Sequence, residues 1–296
     1  MSNSEKGAQL IRVVTDSSCD LPEELAATHG IEIVPLNIRF GDLEFTDRLE
    51  LSHAEFWQRL KTSPDLPETS APSAGSFRER FAALAETGAE GIVAVCLSSS
   101  LSGTYQAAVI AAEQTPGIPI RVVDSRNVSM ALGFQVLEAA RAAARGKGIT
   151  QVVDAALAAR DRTNFVVALD TLDYLQRGGR IGSAQAFLGG LLNIKPLITM
   201  EEGVVAALGR VRTRSKAIAN LLERAGGLGA TIEEVAVVTG DSPDVEDFRQ
   251  QLSALVPARL VAEIGPVVGT HSGPGVIGIA YRLQAQSGLS GPRARE

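Results

Sequence analysis

The chain has 296 residues, of which 45% are hydrophobic and only 4% aromatic, and it carries a formal net charge of −6. That composition suits an aliphatic, well-buried core in one large or two ordinary domains. The acidic balance argues against nucleic acid as a partner and against adhesion to anionic lipid, since both need clustered Lys and Arg.

Short β-branched runs over 11–15, 31–40, 91–97 and 120–124 read as strands, and apolar residues at three- and four-residue spacing predict helices over 21–28, 53–61, 74–86, 102–113 and 128–145. This alternation predicts an α/β domain over 10–165, with a mainly parallel sheet flanked by helices. After Gly146-Lys147-Gly148 and a helix over 150–160, strands over 164–169, 194–200, 235–239 and 259–264 predict a second α/β domain with a mixed sheet over 166–285. No segment reaches 18 uninterrupted apolar residues and no apolar run precedes a cleavage-type site, so stable membrane insertion is not expected and a cytoplasmic location is. Cys19 and Cys96 have no CxxC partner or nearby His, which leaves a metal site without ligands.

Three hydroxyl-rich turns precede helices. In Leu97-Ser98-Ser99-Ser100-Leu101-Ser102-Gly103-Thr104-Tyr105-Gln106 a buried strand runs into a helix start. Free N–H groups, the positive dipole end and the hydroxyls of Ser98, Ser99, Ser102 and Thr104 would there suit an anion, although Ser99 or Ser102 as a simple cap is the plainer reading. Thr69-Ser70-Ala71-Pro72-Ser73 places Ser73 to cap the helix beginning at Ala74 and leaves Thr69 and Ser70 free for the same anion. In the turn that ends at Pro22, Asp20 reads as the cap of the first helix.

Gly273, Gly275 and Gly278 have dinucleotide-loop spacing, but a strand rather than a helix is expected after them, so that reading fails. His271, in a small-residue loop, could donate to an anion or be an ordinary surface His. A Ser/His hydrolase remains an alternative, with Asp124 a candidate orienting acid, yet there is no G-x-S-x-G elbow. A phosphate-cradling GxxxxGK[ST] loop is also missing. The run 183–194 is apolar almost all round and belongs in a core or along an apolar cavity. Gly178 and Gly179 end a short helix and throw Arg177 and Arg180 outward, and Arg210, Arg212 and Arg214 alternate before another helix.

Taken in order, Thr15-Asp16-Ser17-Ser18-Cys19-Asp20-Leu21-Pro22, Thr69-Ser70-Ala71-Pro72-Ser73, the serine-rich turn, Asp170-Thr171-Leu172-Asp173-Tyr174-Leu175 with Gly178-Gly179-Arg180-Ile181, Lys195-Pro196-Leu197, Val211-Arg212-Thr213, and the run from Gly265 to Gly275 resemble the DegV family. The likeness spans about residues 11–283. The resemblance implies two α/β domains with a long-chain fatty acid, such as palmitate or oleate, between them, and no catalytic centre or cofactor of its own. It implies Thr69, Ser70, Ser99, Ser102 and His271 at the carboxylate, with Phe187, Leu188 and Leu191 along the acyl chain. It further implies that the carboxylate is presented to a partner fatty acid kinase, for which Arg180 and Arg212 are the docking candidates. A regulatory module for another small acid is a further alternative. Burying roughly fifteen methylenes at about 0.8 kcal/mol each gives on the order of 12 kcal/mol before binding entropy is subtracted, so the tail would supply affinity and the head group orientation.

Overall fold

The computed structural model describes residues 10–187, 194–257 and 260–285. Its first part runs β1 (Ile11–Asp16), α1 (Glu23–Thr28), β2 (Ile31–Val34), β3 (Asn37–Phe40), β4 (Leu43–Thr46), α2 (His53–Thr62), β5 (Glu68–Ser70), α3 (Ala74–Glu86), β6 (Gly91–Cys96), α4 (Thr104–Glu113), β7 (Ile120–Asp124), α5 (Ser129–Ala144) and α6 (Ile149–Arg160). One sheet has the order β2-β1-β6-β7, with all neighbours parallel. Strand β6 is buried along its whole length, which is why it reads as an unbroken apolar run.

The single strand expected over 31–40 is two strands in two sheets. Pro35 has no N–H for a ladder, and beyond it β3 leaves β2 and pairs antiparallel with β4 and β5. The resulting small sheet, of order β4-β3-β5, places Thr69 on a strand instead of in a loop.

The second part runs β8 (Thr163–Ala168), α7 (Asp173–Gly178), β9 (Lys195–Glu201), β10 (Val204–Val211), α8 (Arg214–Leu228), β11 (Ile232–Gly240), α9 (Val245–Ser253), β12 (Leu260–Glu263), α10 (Pro266–Ser272) and β13 (Val276–Leu283). These strands form a mixed sheet of order β10-β9-β8-β13-β11-β12, in which only β11 and β12 are parallel. Gly278 lies inside β13, where a Cβ would stand 2.1 Å from the Val166 carbonyl oxygen. Its lack of a side chain serves close strand packing, as the failed dinucleotide reading requires.

Helix α5 lies between the two large sheets, against β1 on one side and β8 and β13 on the other. It is buried nearly all round, through Met130, Leu132, Phe134, Val136 and Leu137 among others, as a helix with core on every side must be. Ion pairs reinforce the join: Arg141 of α5 meets Glu234 of β11 at 2.7 Å, and Arg282 of β13, only 3% exposed, meets Glu138 of α5 at 3.4 Å. The described part of the apolar run 183–194 is not α-helical. It is 3-10 over Gly182–Phe187, and 188–193 lie outside the described residues.

Candidate functional site

His271 sits on a short helix, not in the loop expected for it. Pro266 opens α10, where its fixed φ fits the first turn, and Gly273 ends the helix at φ +73°. This places His271 Nε2 2.9 Å from Thr69 Oγ1 on β5. Behind the ring, Gly178 at the end of α7 leaves the necessary room, since a Cβ there would stand 2.3 Å from His271 Nδ1. Nδ1 is buried without a hydrogen-bond partner. Burial, and then the neighbouring charge of Arg180, push the His271 pKa down to about 4, so the ring is neutral at pH 7.

Arg180 follows Gly179, which takes the left-handed conformation that glycine tolerates. The guanidinium folds back over the site, with Nε donating to the Leu101 carbonyl at 3.3 Å and Nη1 to the Gly178 carbonyl at 2.6 Å. Beside Leu101, the Ser102 hydroxyl lies 2.9 Å from Thr104 Oγ1 and accepts from the Thr104 N–H at 3.3 Å. Helix α4 starts at Thr104 with Gly103 at its cap position and no side-chain cap, so neither Ser99 nor Ser102 caps it. Ser73 does cap α3, accepting from the Ser76 N–H.

Thr69, Ser102, Arg180 and His271 all line one cavity of about 810 Å³, a volume that includes its open mouth. The remaining wall is almost wholly aliphatic, with Leu97 and Leu101 from the turn after β6, Val128 before α5, and Ile198, Val205 and Val238 from the mixed sheet. Strand alternation decides which residues face it. Phe165 and Val167 of β8 line the cavity, while Val166 and Ala168 point to the opposite face and pack with Ala217 and Leu221 of α8. Ser129 and Ser272 add further hydroxyls.

Several expected residues are elsewhere. Ser99 is exposed and committed to Asp124, donating its hydroxyl to Oδ2 at 2.5 Å and its N–H to Oδ1 at 3.2 Å. The same bonds occupy the candidate triad acid. Ser98 donates to the Gly203 carbonyl at 2.6 Å, and Ser70 is exposed at the end of β5; none of these serines lines the cavity. Phe187 packs on the main core with Arg210 5.6 Å above its ring and is not a lining residue, while Leu188 and Leu191 lie outside the described residues. Arg212 is exposed just beyond β10, whereas Arg180, expected on a docking surface, is part of the cavity wall. Among the described residues no group of three or more His, Cys, Asp or Glu is placed to hold a metal ion, and no helix is long and apolar enough to cross a membrane.

The sequence model of the DegV family, described as uncharacterised proteins, matches residues 10–284. A DegV domain-containing protein of Streptomyces coelicolor is 41% identical over 275 residues, covering 91% of this chain and 97% of the relative. Among solved structures, a DegV family protein from Thermus thermophilus described by its fatty acid binding is 34% identical, with a TM-score of 0.85 over 93% of this chain and 100% of that one. DegV from Bacillus subtilis, described as a fatty acid binding protein, is 30% identical with a TM-score of 0.84 over 93% of this chain and 100% of its own. A stearic acid-binding protein from Eubacterium ventriosum is 28% identical with a TM-score of 0.84, over 92% and 98% of the two chains. With its α/β sheets, motif blocks and nearly full-length match in agreement, this chain belongs to the DegV family.

Proposed function

We propose that the protein binds one long-chain fatty acid, burying the acyl chain in the cavity and holding the carboxylate at Thr69, Ser102 and His271, from where a partner kinase phosphorylates it. The observation that carries this reading is an aliphatic cavity whose polar groups are hydroxyls, a neutral imidazole and one guanidinium. The arginine can neutralise a carboxylate at the mouth, and a hydroxyl or neutral imidazole can donate to it. The related proteins described as binding fatty acids support the same ligand class.

Hydrolysis is the less favoured chemistry. A Ser/His pair needs a base poised near the working pH and an orienting acid. Here Nδ1 has no partner and the ring pKa is about 4, which leaves His271 a weak base. Solvent extraction and mass spectrometry of purified protein from two expression hosts should recover close to one acyl chain per protein, of roughly sixteen to eighteen carbons. No acyl chain from either host, together with no rise in melting temperature on adding oleate or palmitate, would reject the reading.

A further inference from the structure

Asp20 stands between the cavity and a second, charged depression. It does not cap α1, whose cap position is held by Pro22 without a side-chain bond. Instead Asp20, in the left-handed region at φ +50°, turns its carboxylate inward. Oδ2 accepts from the Ser129 hydroxyl at 2.5 Å, and Oδ1 accepts from the Gly265 N–H at 3.0 Å. Ser129, at φ +56°, lines the cavity at the start of α5, and Gly265 is the residue from which α10 departs with His271. One buried carboxylate thus fixes the starts of two helices that wall the cavity.

On its other side Asp20 lines a depression of about 870 Å³, again counting its opening, with Glu23, Arg48, His53 and Glu263. Arg48 donates to the Leu21 carbonyl at 3.0 Å, with its other terminal nitrogen 3.9 Å from Cys19 Sγ, and His53 Nδ1 lies 3.3 Å from Glu263 Oε2. Burial raises the Asp20 pKa to about 6, against the opposing pull of the Ser129 and Gly265 bonds and of the Arg48 and His53 charges. Burial lowers that of His53, but the Glu263 bond and the charges of Asp20, Glu263 and Asp47 outweigh it and leave a net rise. Asp47 and Cys19 are both pushed up by burial, Cys19 to about 12.

We propose that Asp20 is a positioning residue for the head-group site, and that a proton reaching it from the charged depression slackens α10 and loosens the fatty acid. This rests on the fatty-acid reading above. A neutral carboxyl is a weaker acceptor than a carboxylate, so it grips the Ser129 and Gly265 donors less firmly. Asp16, whose pKa burial also raises to about 6, titrates over the same range, but it bonds Ser18 and Leu97 rather than either helix start. Substituting Asp20 therefore separates the two.

The test measures oleate affinity at pH 7.5 and 5.5 for wild type and Asp20→Asn, with amide hydrogen exchange of residues 264–273 in the ligand-free protein. Wild type should bind about threefold more weakly at pH 5.5, where a carboxyl titrating near 6 is mostly but not fully protonated, while Asp20→Asn should already be about tenfold weaker at pH 7.5 and change little on acidification. Exchange in α10, corrected for intrinsic pH dependence, should rise with acid in wild type and be high at both pH values in the variant. A merely structural Asp20 would lower the variant's melting temperature without flattening its pH profile. Ser129→Gly, which suits the positive φ and removes one bond that lowers the Asp20 pKa, should move the wild-type midpoint to higher pH and serves if Asp20→Asn does not fold. An unshifted midpoint, a pH-independent wild type, or an Asp20→Asn that keeps the wild-type profile overturns the proposal. Absence of oleate binding by wild type at both pH values would reject the fatty-acid reading, while the exchange comparison still decides the role of Asp20.

Discussion

Thr69 and His271, 202 positions apart, share a 2.9 Å hydrogen bond in the wall of the cavity. Neither side chain has its place without the other's scaffold: β5 belongs to the small sheet beside the parallel one, and α10 leads into the mixed sheet. On the fatty-acid reading proposed above, a carboxylate arriving there would meet groups contributed by both halves of the chain.

Thr69→Ala and Ser102→Ala should each weaken oleate binding about tenfold, since each removes one hydrogen bond to a charged group and almost no apolar wall. Oleyl alcohol, which keeps the tail and lacks the charge, should distinguish wild type from variants poorly. Calorimetric titration with both ligands decides the matter. Equal losses for acid and alcohol would mean that packing was damaged and the head group lies elsewhere.

His271 should make stability fall on the acid side. Its folded pKa of about 4 is below its ordinary value of 6.5, so the fold favours the neutral ring. The associated stability is fully present above pH 6.5 and is lost as pH falls toward 4, by on the order of 2–3 kcal/mol. Urea unfolding of wild type and His271→Gln at pH 7 and pH 4.5 should show the larger loss in wild type. A bound carboxylate beside the ring should raise its pKa, visible as an upward shift of the imidazole NMR titration when oleate is added. A free-protein midpoint near 6.5 would contradict the burial argument.

Gly178→Ala should disable the site without touching the cavity's aliphatic wall. Its Cβ would come within 2.3 Å of Nδ1 and 2.9 Å of Cε1 of His271, so the ring must swing off Thr69. Oleate affinity should drop at least tenfold while the far-ultraviolet circular dichroism stays that of wild type. Wild-type affinity in this variant would show that the Thr69 to His271 bond is dispensable.

The alternation of β-branched runs with helical spacing was enough to read the α/β class and the parallel sheet, because β1 and β6, at the centre of that sheet, are buried and carry the apolar runs that a covered strand needs. Thr69, Ser102 and His271 could be singled out because short polar motifs carry them, and the structure brings all three to one cavity wall. The aliphatic wall was not. Strand β8 is apolar on both faces, so nothing in Phe165-Val166-Val167-Ala168 tells which face borders a cavity and which borders α8. Ser99 misled for a related reason: its neighbour in space, Asp124, comes from the adjacent strand, and only the register of β6 against β7 brings them together. Asp20 was read as a local cap because its true partners, Ser129 and Gly265, are 109 and 245 positions away.

Arg212 should matter to a partner and not to the lipid. It is exposed just beyond β10, outside the cavity wall, whereas Arg180 lines the mouth and can touch both the carboxylate and whatever docks over it. An interface arginine makes bidentate contacts that alanine cannot replace, and losing one often weakens association by 2 kcal/mol or more, about thirtyfold. Arg212→Ala should therefore bind oleate as wild type does, yet fail in a coupled assay in which the fatty acid kinase of the same organism phosphorylates the bound acid. Arg180→Ala should lose on both counts, with oleate affinity down because one guanidinium no longer faces the carboxylate. Both measurements must come from the same preparations, so that a fall in turnover can be divided into lost lipid and lost docking. Full phosphorylation by Arg212→Ala would place the docking surface elsewhere, and undiminished oleate binding by Arg180→Ala would take that arginine out of the head-group site.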